Sequence, residues 1–94
     1  MNLWLDDERE PPDGWIWAKT AEEAIEELRT GYVTEVSLDH DLGMNENGTG
    51  YDVLCYIEEF VKPLPLIHIH TANASARVKM EVAVRRMRER NETN

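Results

Sequence analysis

Four short apolar runs, at residues 2–6, 15–18, 33–38 and 66–70, constrain the fold of this chain more than any other feature. Stretches of helical periodicity separate the second run from the third and the third from the fourth, and another follows the last. Strands alternating with helices specify an α/β fold on a parallel sheet. The reading is a small open sheet of about four strands with three helices, one domain over residues 1–94. Between the first two strands, Pro11-Pro12-Asp13-Gly14 rules out a helix interior, so residues 9–14 read as a loop.

The helices carry their own punctuation. Thr20 caps the first, with Glu23 three residues on as the return partner of a capping box. Ala21, Ala24, Ile25 and Leu28 then recur at helical spacing, and Gly31 stands where a left-handed C-terminal residue is wanted. The second helix is expected over 51–61, with Leu54, Ile57 and Val61 inward and Pro63 as its stop. The third runs over 74–90, burying Ala76, Met80, Ala83, Val84 and Met87.

Charge narrows the function. The net charge is −9, which excludes a uniformly basic nucleic-acid-binding surface. The imbalance is local: residues 1–76 hold sixteen acids and four bases, whereas 77–94 hold six bases and three acids. The basic end reads as a surface helix whose arginines suit the negative end of its dipole, in preference to a nucleic-acid contact. A lone Cys55 excludes an internal disulfide and a cysteine zinc site. No apolar run is long enough for a membrane span or a leader, so the expected location is the cytoplasm.

The polar residues fall at the strand ends. In an open parallel sheet ligands bind outside the carboxyl ends of the strands. Strand one ends in Asp6-Asp7, strand three in Asp39-His40-Asp41 and strand four in His70-Thr71. Crowded carboxylates repel unless a cation neutralises them, and an oxygen-rich set suits Mg²⁺ with waters and a substrate phosphate. His68 and His70 share one strand face, a spacing that fits metal ligands and backbone-bonded histidines equally well. Gly48-Thr49-Gly50 precedes a helix N-terminus, where backbone N–H groups can hold an anion or merely form a loop.

Taken together, an acid pair after strand one, Asp39 after strand three and Thr71-Ala72 after strand four resemble the receiver domain of bacterial response regulators. The resemblance implies a flavodoxin-like topology, Mg²⁺ on Asp6-Asp7, phosphoryl chemistry at Asp39 and a phosphate contact from Thr71. Ordinary receivers have a fifth strand followed by a lysine and a helix after strand one, all missing here. Four segments are more similar to a short variant, the cyclic-phosphate-processing receiver domains. These are Leu3-Trp4-Leu5-Asp6-Asp7-Glu8-Arg9, Ser37-Leu38-Asp39-His40-Asp41-Leu42-Gly43, Gly48-Thr49-Gly50-Tyr51-Asp52 and His68-Ile69-His70-Thr71-Ala72-Asn73. That resemblance implies hydrolysis of a cyclic phosphate on a nucleotide or RNA end.

The expected site is therefore Asp6, Asp7 and Asp39 for Mg²⁺ or Mn²⁺, with Asp39, His40, His70 and Thr71 catalytic. Gly48, Thr49, Gly50, Thr71 and Asn73 would bind substrate. The alternative is a degenerate receiver acting as a regulatory or protein-binding module without catalysis. The missing helices also predict an architecture: the C-terminal helix crosses to the uncovered sheet face, or a second copy covers it as a homodimer.

Overall fold

The structure, a computed structural model, describes residues 1–93. Four parallel strands, β1 (Asn2–Leu5), β2 (Trp15–Ala18), β3 (Glu35–Leu38) and β4 (Leu66–Ile69), form one sheet in the order β2-β1-β3-β4. Three helices accompany them: α1 (Ala21–Leu28), α2 (Gly50–Phe60) and α3 (Ala74–Thr93). This is the expected α/β receiver-like topology, with the segment between β1 and β2 free of helix. The ladder runs one residue past the assigned strands, because Asp6 N donates to Ala18 O, Asp39 N to Leu5 O and His70 N to Leu38 O. Those three residues therefore stand as the last rung of the sheet.

Register decides which face each side chain occupies. Leu3, Ile16, Val36 and Ile67 form one row, and Leu5, Ala18, Leu38 and Ile69 the next but one on the same face. Both rows pack into the core with Ala24 and Leu28 of α1, Val53, Leu54 and Ile57 of α2, and Met80, Ala83, Val84 and Met87 of α3. Thr20 caps α1 by accepting from Glu23 N, and Thr49 and Asp52 complete a capping box on α2. No helix among the described residues is long and apolar enough to cross a membrane.

The expected crossing of the C-terminal helix is corrected. α3 lies on the same face as α1 and α2, not on the other. Its apolar stripe finds Met80 against Gly50 at the head of α2 and joins the common core. The opposite face offers no equivalent, since Trp4, Trp17, Ser37 and His68 make up one row there, and Asn2, Trp15, Glu35 and Leu66 another. Much of that row structure is paired already. Trp4 meets Trp15 edge-on at 6.1 Å, and His68 Nε2 pairs with Glu35 Oε2 at 2.7 Å.

Candidate functional site

Asp6 is the pivot of the site. It stands on the open-face side of the last rung and is only 1% exposed. Its Oδ1 accepts the backbone N–H groups of Glu8 and Arg9, both at 2.9 Å, so residues 6–9 fold into a tight Asx turn. Two tryptophans pin that turn to the sheet: Trp17 Nε1 donates to Asp6 O and Trp4 Nε1 to Arg9 O. Burial pushes the Asp6 carboxyl up, but the Arg9 and Glu8 amides, the His70 imidazole and the Arg9 guanidinium outweigh it and hold the group below the ordinary aspartate value.

Asp39 comes from the adjacent strand end and is also buried. Its backbone carbonyl is packed directly beneath Gly50, where a Cβ would collide with it. One donor oxygen from each of Asp6, Asp7 and Asp39 lies within 4.8 Å of the others. A cation already leans on them. Arg9 Nε sits 3.0 Å from Asp6 Oδ2, and its Nη2 lies 3.8 Å from Asp39 Oδ2 while donating to His70 O at 2.9 Å. Arg9 received no role from sequence reasoning, although Asp6 at a strand end favours an Asx turn on Glu8 that brings the next residue, Arg9, back beside it.

His70 is held on three sides. Trp4 stacks on its ring at 3.9 Å and 7°, Nε2 meets Asp6 Oδ2 at 3.1 Å, and Nδ1 meets Ser37 Oγ at 2.7 Å. A carboxylate only accepts, so Nε2 carries the proton toward Asp6 and Nδ1 accepts from the Ser37 hydroxyl. Burial keeps the imidazole below its ordinary value of 6.5, against the opposing pull of Asp6 and Asp39. His70 thus orients a carboxylate, the arrangement found behind metal ligands.

Thr71, buried, accepts from Asn73 N, and Asn73 works both ways: its Oδ1 takes the Ala76 N–H at the start of α3, and its Nδ2 reaches both Asp41 oxygens at 3.3 Å. Asp41 also holds His40 through Nδ1 at 2.8 Å. That histidine is the main reason the Asp41 carboxyl lies below its usual value.

A cleft of about 440 Å³ gathers Asp6, Asp7, Asp39 and Thr71 with Glu8, Arg9, Asp41, Gly43 and Ala72. His40, His70 and Asn73 are not among its lining residues, although each is hydrogen-bonded to one that is. Gly48, Thr49 and Gly50 do not line it. Thr49 N donates to the Asp52 carboxylate, Asp52 N to the Thr49 hydroxyl and Gly50 N to His40 O, so these amides at the head of α2 already have partners. Gly48, at φ 73°, packs toward Ala21. His68 pairs with Glu35 on the open face, away from the cleft. The basic end of the chain is engaged structurally: Arg86 and Arg90 bind Glu58, and Arg77 and Arg88 bind carbonyls of β4.

No curated protein and no solved structure matches this chain significantly. One family model does, described as the cyclic-phosphate processing receiver domain, and it matches residues 1–86. With the last rung of a truncated receiver sheet carrying Asp6 and Asp39 into one cleft, the sequence match and the fold agree: the chain belongs to the cyclic-phosphate processing receiver family.

Proposed function

We propose that the protein is a metal-dependent phosphoesterase that opens a cyclic phosphate on a nucleotide or an RNA end. The observation that carries this reading is the approach of Asp6, Asp7 and Asp39 oxygens to within 4.8 Å of one another in a cleft that also holds Arg9 and Thr71. An all-carboxylate donor set suits Mg²⁺ or Mn²⁺, which keep positions for waters and a phosphate oxygen. The Arg9 guanidinium against Asp6 and Asp39 supports the fit, because it marks the spot as one that accepts positive charge. When bound, the ion supplies charge against the phosphate oxygens.

The chain's own residues have the remaining tasks. Hydrolysis adds one water across a P–O bond: the water oxygen joins phosphorus, one ester oxygen leaves and takes a proton, and a phosphomonoester results. The Thr71 hydroxyl and Arg9 hold phosphate oxygens. His70, with Ser37 and Trp4 behind it, keeps Asp6 in place. His40, anchored through Nδ1 to Asp41 at the cleft wall, is the group assigned to take or give the proton. Attack by Asp39 itself, followed by water, uses the same residues.

The test is a screen of 2′,3′-cyclic and 1″,2″-cyclic phosphates with Mg²⁺ or Mn²⁺. The wild type is expected to turn over at least one, with Asp39→Asn and Arg9→Ala each losing about 100-fold or more in kcat. A wild type inert on all of them would leave the binding-module reading in place of the enzyme.

A further inference from the structure

β4 stands at one edge of the sheet among the described residues, and α3 treats its outer edge in a specific way. Leu66 N donates to Thr34 O and His70 N to Leu38 O, so the even-numbered peptide groups of β4 face β3. The peptide groups of Ile67 and Ile69 therefore face outward, where an exposed strand edge invites pairing with another chain. Two arginines on one stripe of α3, about three turns apart, reach these outward carbonyls. Arg88 Nη2 donates to Ile67 O at 3.2 Å, and Arg77 Nη1 donates to Ile69 O at 3.3 Å.

Arg77 does more than Arg88. Its second arm, Nη2, donates to Thr71 O at 2.8 Å, while Glu81 one turn later stands 3.7 Å from Nη1. Arg77 N donates to Asn73 O in the first helical hydrogen bond of α3, so the guanidinium reaches back over the turn from a fixed helix end. The forked guanidinium thus spans the last residue of β4 and the first residue of the turn, a two-carbonyl contact that a point charge cannot reproduce. Inside that turn are Thr71, which lines the cleft, and Asn73, which bridges to Asp41 on the other side.

We infer that Arg77 is a positioning residue: by clamping Ile69 O and Thr71 O it fixes the Thr71–Asn73 turn in the cleft, whereas Arg88 only seals the strand edge. The link from this clamp to catalysis rests on the phosphoesterase reading; the clamp itself does not.

Amide hydrogen exchange on the full chain separates the two roles. In Arg77→Ala the Thr71, Ala72 and Asn73 amides are expected to exchange about tenfold faster, with Val36 and Leu38 in the core unchanged. Arg88→Ala should leave 71–73 at wild-type rates. Wild-type rates at 71–73 in Arg77→Ala would overturn the inference. So would equal acceleration in both variants, since fraying of the edge alone would then explain it. Turnover adds a second readout: Arg77→Ala should raise the KM for a cyclic phosphate several-fold, and Arg88→Ala should not. An inert wild type would end the phosphoesterase reading and leave the exchange result to decide the clamp.

Discussion

Gly50 shows how a single residue can be conspicuous in a sequence for a reason that lies elsewhere in the fold. Beside Gly48 it suggested a loop cradling an anion. Its actual neighbour is the Asp39 carbonyl, with the Asp39 carbonyl carbon 2.9 Å and Met80 Cε 3.0 Å from where a Cβ would stand. A flexible methionine end can shift, but backbone at the end of a central strand cannot. Gly50→Ala is therefore expected to destabilise the protein by about 3 kcal/mol, the upper end of overpacking costs. Urea unfolding with an unchanged m-value reads it directly, and a midpoint equal to wild type would refute the contact. Nothing in the local pattern distinguishes a glycine that must approach a strand end from one that must bind phosphate. Arg9 presents the opposite difficulty: its role depends on an Asx turn and on Asp39, thirty positions away, and only the first of these is local. The acids were legible because strand ends are local features, and a parallel sheet brings strand ends together.

At the scale of elements, boundaries fall within two residues of their expected places except the end of α3, which runs three residues further to Thr93, and relations between elements were less legible. Helix limits agree closely where the signal is short-range, Thr20 as the cap that starts α1 and Pro63 as the stop beyond α2. The side of the sheet taken by α3 was misread, since no following strand constrains it and the handedness rule is silent. Packing on α2 decides it, and so does a surface cluster at that junction. Glu58 of α2 binds Arg86 and Arg90 of α3 at 3.1 and 3.0 Å. The Arg86 hydrogen bond, against a smaller desolvation effect, holds the Glu58 carboxyl below its ordinary 4.5. A folded-state value below the unfolded one means the unfolded chain takes up the proton first. The stabilisation is thus complete above pH 4.5 and disappears as pH falls through the lower folded value. Glu58→Gln should flatten the acid limb of the Tm–pH curve below about pH 4.5 and cost less than about 1 kcal/mol at neutral pH, as a largely solvated cluster does. Identical acid limbs would show that the cluster contributes nothing to the α2–α3 contact.

For the whole molecule, the acids divide into those that only carry charge and those that are forced together. The net charge of −9 acts at long range and is screened by salt. Asp6, Asp7 and Asp39 carry like charges at short range in a partly buried cleft, and Arg9 contacts two of the three. Any divalent ion that enters should stabilise the folded chain by mass action, about 2.7 kcal/mol at a concentration 100 times its Kd. For a domain of this length that corresponds to a rise in Tm of about 10 °C or more. Mg²⁺ or Mn²⁺ should therefore raise Tm well beyond a NaCl control of equal ionic strength. Asp39→Asn removes one of the repelling charges, so it should melt higher than wild type without the ion and gain little when the ion is added. The discriminating quantity is the gain beyond the NaCl control, because screening of the total charge would raise both proteins nearly alike. Equal responses of wild type and Asp39→Asn would assign the ion effect to the surface charge and remove the cleft as a metal site.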